Sequence, residues 1–267
     1  MTGRMRIERL GDGRPEVAVV AAIHGDEPCG VEAIERILAE DPAVARPVAL
    51  IVANEAALSA GTRYVEEDLN RAFPGDPEGP THESRLAAEL TDVLAGCTTL
   101  ALHSTQSYDG PFAIVQDGAG ESADLARQLP VDAIVETGAF DEGRLFESVS
   151  PLVEVECGFQ GSAAAAENAT DIVRQFLAAT GALADTSAPE SRDVPLFRLS
   201  DVVPKAAAES YEVFAENFQR VEAGDTFAVA DGEEYVAEES FYPVLLSAYG
   251  YEDVFGYAAV KASYGSS

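Results

Sequence analysis

The chain contains no tryptophan, two methionines, three histidines and three cysteines in 267 residues, and its only lysines are Lys205 and Lys261. Each scarcity excludes something. Cys29, Cys97 and Cys157 are odd in number, widely spaced and outside any C-x-x-C pattern, which excludes a disulfide framework and a cysteine zinc finger. The longest purely apolar run is "VAVVAAI", residues 17 to 23, far short of the roughly 20 residues that span a bilayer. The N-terminal "MTGRMRIERLGDGRP" has no apolar stretch of the kind a secretory signal carries, so a soluble, cytoplasmic protein is expected.

Positive charge is the scarcest commodity. Seventeen basic residues stand against 47 acidic ones, a formal net charge of −30 spread along the whole chain. Such a surface repels nucleic acid and anionic membranes, so neither is expected as a partner. It also repels itself, over a screening length of roughly 10 Å at 0.1 M salt but only about 3 Å at 1 M. An acidic, lysine-poor chain of this kind predicts adaptation to a salt-rich, halophile-like cytoplasm. The charge speaks of habitat and not of chemistry.

What is present is a core. Apolar residues make up 47% of the chain, enough for one large domain or a medium one with a small companion. Residues 16–23 read as a strand buried on both faces. "GVEAIERILAED" places Val31, Ile34, Ile37 and Leu38 at helical spacing before Pro42, and "PVALIVA" reads as a second strand ending at Asn54. The polar "GTRYVEEDLNRAFPGDPEGP" is too rich in charge and turn formers for a buried element. An amphipathic helix ("HESRLAAELTDVLAG") and a third strand ("TTLALHST") follow. "PFAIVQ", "VDAIVET" and "PLVEVECG" read as further strands, with "ESADLARQL" helical between the first two, and "SAAAAENATDIVRQFLAATG" as a long closing helix.

This alternation predicts an α/β layer fold with a parallel or mixed sheet over residues 1–185. "ALADTSAPESRD" reads as a linker. Beyond it, over 194–267, short β-like segments with aromatics and turns predict a small β-rich domain.

One of the three histidines sits in "AVVAAIHGDEPCG", where His24, Asp26 and Glu27 follow an apolar strand directly. Ligands of open α/β sheets collect past the carboxyl ends of strands. His24 and Glu27 fall there after the first strand, and His103 after the third. Two imidazoles and a carboxylate with one open position form a known catalytic zinc set. His-x-x-Glu alone recurs by chance, however, and on spacing alone a turn in which Asp26 caps the next helix is the favoured reading.

"HGDEPCG", "RYVEEDLNR", "LHST" and "VECGFQG" occur in an order that resembles the aspartoacylase and succinylglutamate desuccinylase family, a branch of the zinc carboxypeptidase-like hydrolases. The resemblance spans most of residues 16 to 165 and continues weakly through "ENFQRVEAGD" and "YEDVFGY". It implies a three-layer catalytic domain with a mixed central sheet, and zinc held by His24, Glu27 and His103. It further implies Glu156 as general base, Arg63 polarising the scissile carbonyl, and Asn70 with Arg71 holding a substrate carboxylate. Tyr251 would approach the substrate from the C-terminal part. These residue types suit those tasks: a carboxylate moves protons and an arginine grips a planar carboxylate with two prongs.

The expected reaction is hydrolysis of the amide of a small N-acyl amino acid, with homo-oligomerisation left open. A peptide-trimming metallocarboxypeptidase and a catalytically silent metal-dependent binding protein are the alternatives. Two departures from the family pattern stand out. Ala101 occupies the place of the usual acid in Asp-x-His, so His103 must find support elsewhere. The segment after Glu156 is also shorter than in aspartoacylase.

Glu154 shares a strand face with Glu156 and is the competing base; Glu156 is preferred because it directly precedes Cys157-Gly158. Cys29 and Cys157 read as small buried residues, His82 as a surface residue of a first helical turn, and Tyr249 as a packing residue or a second tyrosine over the pocket.

Overall fold

Val17–Ala21 is fully buried at every position, as a strand covered on both faces must be. It is an interior strand, third from one edge, of a ten-stranded mixed sheet in the computed structural model, which describes residues 5–138, 140 and 143–264. The chain runs β1 (Arg6–Leu10), β2 (Val17–Ala21), α1 (Cys29–Glu40), β3 (Val48–Val52), α2 (Glu55–Ala60), α3 (His82–Leu94), β4 (Thr98–Thr105), β5 (Phe112–Val115), α4 (Glu121–Ala126), β6 (Ala133–Glu136), β7 (Leu152–Phe159) and α5 (Ala163–Ala179). It continues through β8 (Leu196–Pro204), β9 (Tyr211–Val213), β10 (Thr226–Ala230), β11 (Glu233–Val236), β12 (Tyr242–Val244) and β13 (Val254–Ala262). The spatial order of the main sheet is β1-β3-β2-β4-β7-β5-β6-β8-β13-β12.

Period two along the strands sorts residues between two cores. Val17 and Val19 of β2 pack with Ile34 and Ile37 of α1 and with Ile172, Val173 and Phe176 of α5. Ala18 and Val20 face the opposite layer, where Leu86, Leu90 and Leu94 of α3 lie at helical spacing. Each of these leucines contributes about 1.5–3 kcal/mol by leaving water. Helices on both faces make the three-layer architecture that the α/β alternation predicts. Helix ends follow local chemistry: Thr81 and Ser162 accept from the backbone N–H groups of Ser84 and Ala165. Asp41, at φ 45°, closes α1 through the Ile37 and Leu38 carbonyls.

Beyond residue 194 the β-like segments divide. β8, β13 and β12 continue the main sheet, with β8 parallel to β6. β9, β10 and β11 form a separate three-stranded antiparallel sheet over a third core that includes Phe227 and Phe255. The change of pattern at 194 thus marks the end of helix–strand alternation, while the sheet itself runs on. β1, α2, β8 and β13 are elements that the sequence reading did not contain. Among the described residues no helix is long and apolar enough to cross a membrane.

Two features of this topology position a site. β2, β4 and β7 are adjacent and parallel, so their carboxyl ends open on one edge. The β4–β7 register sets His103 beside Glu156 and Ala101 beside Glu154.

Candidate metal centre and active site

The chain leaves β2 through Ala22, an L-residue at φ 52°. It passes Gly25, whose missing side chain matters because a Cβ there would lie 2.1 Å from the Ala57 carbonyl carbon of α2. The Gly25 N–H donates to the Arg63 carbonyl at 3.1 Å. The "HGDE" turn is therefore pressed against the middle of α2, at the Ala57–Leu58 peptide, and tied to the polar loop. That packing delivers His24 and Glu27, each 4% exposed, to the sheet edge where His103, also 4% exposed, arrives on β4.

The Glu27 carboxylate lies between the two imidazoles. Its Oε1 accepts from His24 Nδ1 at 2.8 Å and its Oε2 from His103 Nδ1 at 3.0 Å. Arg63 Nη1 at 3.3 Å and the Ser104 N–H at 3.2 Å complete its shell. One ligand atom from each of His24, Glu27 and His103 lies within 4.8 Å of the others. Two ring nitrogens and a carboxylate oxygen, buried and converging, are a donor set that fits a divalent metal ion of zinc type. The His103 Nε2 atom is buried without a partner.

The electrostatics follow from packing acids and imidazoles together out of water. Burial alone would lower the His24 pKa, but the Glu27 charge and hydrogen bonds to Asp68 and Glu27 push it up to about 9. For Glu27, burial opposes the charge, yet His24 and His103 hold the carboxyl well below the usual range. Glu156 has no such donors. Burial, reinforced by the Glu27 charge, raises it to about 7, and its Oε2 is buried without a hydrogen-bond partner. A carboxyl poised near neutrality beside a metal-type triad is equipped for proton transfer.

One cavity gathers His24, Glu27, Arg63, Glu156 and Tyr251. Tyr251 enters from the C-terminal part, together with Leu245 and Ser247. His103 does not line the cavity but meets the Glu27 carboxylate through Nδ1. Glu154, 2% exposed, does not line the cavity. Tyr249 is 62% exposed and its ring packs edge-on against Tyr211. Cys29 and Cys157 are buried free thiols. His82 opens α3 and its backbone N–H donates to Glu66.

The two other residues of the polar loop are not drawn in. The Asn70 carboxamide oxygen accepts the Leu145 N–H at 3.1 Å, and Asn70 is 4% exposed. Arg71 is exposed, donates from Nη1 to the Asn70 carbonyl at 2.7 Å, and does not line the cavity.

Three residues at or near the site escaped the sequence reading. Asp68 joins the site's halves: its Oδ1 accepts from His24 Nε2 at 3.1 Å, and its Oδ2 from Arg63 Nε and Nη2 at 3.1 and 3.0 Å. Burial alone would raise its pKa, but His24 and Arg63 hold it well below the ordinary range. The signal was the acid in "EEDLNR", overshadowed by Asn70 and Arg71. Arg144 is a buried guanidinium, 6% exposed, donating to the Tyr257 hydroxyl at 3.4 Å. A lone arginine before the apolar "LF" was its only mark. Glu83, fully buried at the start of α3, looked like an ordinary first-turn acid.

Comparison with known proteins agrees with this architecture. A segment is 35% identical over 95 residues to a succinylglutamate desuccinylase of Pseudomonas aeruginosa, covering 33% of this chain and 29% of that protein. Another, 34% identical over 90 residues, matches the succinylglutamate desuccinylase of Burkholderia orbicola, covering 27% and 26%. These matches span less than a third of the relatives' own length. Among solved structures, the ectoine utilisation protein EutE (DoeB) of Ruegeria pomeroyi superposes with a TM-score of 0.74 at 23% identity, over 95% of this chain and 88% of that one. Murine aminoacylase 3 gives 0.70 at 20% identity, over 94% and 97%. At such identities the likeness is one of fold. The succinylglutamate desuccinylase/aspartoacylase catalytic-domain model matches residues 13–179, the stretch that carries every strand end building the metal-type triad, and the chain belongs to that family.

Proposed function

We propose that the protein is a zinc-dependent hydrolase that cleaves the amide bond of a small N-acyl amino acid, with residues 1–185 supplying the chemistry and residues 194–267 walling the site. In this reading His24, Glu27 and His103 hold the ion. A zinc ion in such a site supplies Lewis acidity and makes water a competent nucleophile near neutral pH.

The remaining work falls to this chain's side chains. The Glu156 carboxylate accepts the proton of the attacking water and hands it to the departing nitrogen, so that one amide and one water give a carboxylic acid and an amine. Arg63, aligned by Asp68, directs a guanidinium towards the scissile carbonyl oxygen, where negative charge develops. Asp68 holds the His24 ring through Nε2 and so fixes its orientation. Tyr251 packs against the bound acyl or amino-acid part. Among the described residues the Arg71 side chain makes one hydrogen bond, to its neighbour's carbonyl, and has donors to offer a substrate carboxylate, while Asn70 fixes the backbone from which Arg71 projects.

The observation that carries this reading is that one cavity is lined both by His24 and Glu27, two members of a buried two-histidine, one-carboxylate set whose third, His103, meets Glu27, and by a partnerless carboxyl held near neutrality. A silent binding protein has no need of the second element. The wall of Leu245, Ser247 and Tyr251 restricts the cavity, which favours a small substrate over an extended peptide. The test is turnover by zinc-loaded protein in high salt, against a panel of N-acyl amino acids and dipeptides. Release of amine from the former supports the proposal. Turnover of dipeptides alone makes it a carboxypeptidase, and no turnover with metal bound makes it a binding protein.

A further inference from the structure

Glu83 is a buried ionisable residue for which the proposed chemistry has no use. It occupies the second position of α3, yet it does not cap its own helix; Thr81 does that by accepting from Ser84. The Glu83 carboxylate instead turns to the polar loop. Oε1 accepts from the Val65 N–H at 2.7 Å and from Asn54 Nδ2 at 3.0 Å. Oε2 accepts from the Glu66 and Glu67 N–H groups at 3.1 and 3.3 Å. Four donors saturate a carboxylate, and three of them are consecutive backbone amides, an arrangement that favours a fixed negative charge.

The loop has little else to hold it. Tyr64 and Val65 are 43% and 49% exposed, and no side chain between Thr62 and Asp68 is buried in the core. What the loop does have is a return clasp. Glu67 accepts from the Thr81 hydroxyl and Glu66 from the His82 N–H, both at the head of α3. The two side chains that reach the metal-type triad flank this clasp: Arg63 lies two residues before Val65, and Asp68 one residue after Glu67.

We infer that Glu83 is a positioning residue of the active site, locking residues 65–67 to the head of α3 so that Asp68 meets His24 Nε2 and Arg63 meets the cavity. This rests on the reading of His24, Glu27 and His103 as zinc ligands. A carboxylate that orients a ligating histidine is worth roughly 10- to 100-fold in metal affinity. Glu83 reaches that carboxylate through the backbone, without touching metal or substrate.

Glu83→Gln replaces an acceptor oxygen by an N–H₂ group that confronts backbone donors, so the loop should come free. Full-length protein in high salt is stripped with chelator, and the zinc affinity of parent, Glu83→Gln, Asp68→Asn and the double variant is measured by chelator competition. Chelator-treated thermal melts report folding. Glu83→Gln should melt cooperatively and bind one zinc about 10-fold more weakly than the parent. The double variant should bind no more weakly than Asp68→Asn alone, because Glu83 acts through Asp68. Should Glu83→Gln fail to fold, Glu83→Asp keeps the charge but is one methylene too short for all three amides, and the same loss and the same non-additivity are expected of it.

Parent-like zinc affinity in a folded Glu83 variant, or losses that add, overturns the inference and leaves the zinc reading intact. A parent protein that binds no zinc overturns both.

Discussion

Replacing Glu156 by glutamine separates chemistry from metal binding and makes two opposite demands on one side chain. The change keeps volume and removes both the charge and the ability to accept a proton. As the proposed general base, Glu156 should account for roughly 10²- to 10⁴-fold of turnover, about 2.7–5.4 kcal/mol of barrier at 1.36 kcal/mol per decade. Zinc stoichiometry should not move, because Glu156 lies outside the proposed ligand set of His24, Glu27 and His103. The pH profile carries a sign. Only the ionised carboxyl accepts a proton, so kcat/KM of the parent should rise with pH through the Glu156 pKa. Burial and the Glu27 charge place that pKa at about 7 in the metal-free protein, and a bound cation draws it lower. The variant should lack this acidic limb.

Stability should move the other way. The Glu156 pKa is raised on folding, so the group favours the native state below its ordinary value, and this contribution is lost as pH climbs through about 7. Above that point the metal-free parent holds an unpaired buried charge. At 1.36 kcal/mol per unit, the shift corresponds to an order-of-magnitude cost of about 3 kcal/mol. Chelator-treated Glu156→Gln should therefore melt several degrees above the parent at pH 8, and level with it at pH 4. Melts at both pH values, metal analysis and steady-state kinetics together form the assay. Full turnover in Glu156→Gln, with loss in Glu154→Gln, would refute the assignment and move the base to Glu154.

His103→Ala should abolish stoichiometric zinc, and metal content equal to the parent's in that variant would show the ligand set to be wrong. If Arg71 binds a substrate carboxylate, converting that carboxylate to an amide or ester should lower kcat/KM by about two orders of magnitude or more, since a site built for a polar group rejects its absence strongly; Arg71→Lys should be damaging as well. Equal turnover of acid and amide substrates would sink that role. The formal charge of −30 predicts a melting temperature that rises steeply from dilute buffer to molar potassium chloride, and a flat dependence would contradict it.

Most of the α/β part was legible because its signals are local. β2 and β3 are continuous apolar runs, α1 and α3 carry apolar residues at helical spacing, and each is bounded by proline, glycine or a capping residue. The elements that were missed lack such signals. β8 reads "LFRLSDVVP" and β13 "VFGYAAVKA", neither with clean alternation, and both are strands because they pair with each other, β8 also with β6 and β13 also with β12, at the sheet's far side. α2 is only six residues long, and its N-cap Asn54 is shared with Glu83. Sheet edges and short capped helices are made by tertiary partners, which a linear pattern does not contain.

The site divides along the same line. The placement of His24, Glu27 and His103 at strand ends was legible from the apolar runs before them, while their reading as ligands, and that of Glu156 as a base, came from the order of motifs that resembles the family and not from spacing. Asp68 and Glu83 were not legible, and composition hid them. In a chain with 47 acidic residues, no acid is conspicuous. What distinguishes these two is the set of donors that meets them: an imidazole and a guanidinium for Asp68, three consecutive amides and a carboxamide for Glu83. The surface arginines Arg36, Arg46 and Arg174 pair with exposed acids, contacts that salt screens and that contribute little each. Arg63, itself half-exposed, instead joins the buried Glu27 and the largely covered Asp68, acids that salt screens less. Whatever salt does for the surface, buried acids such as Glu27 and Asp68 have to be met internally, and here Arg63, His24 and His103 meet them while the backbone of residues 65–67 meets Glu83.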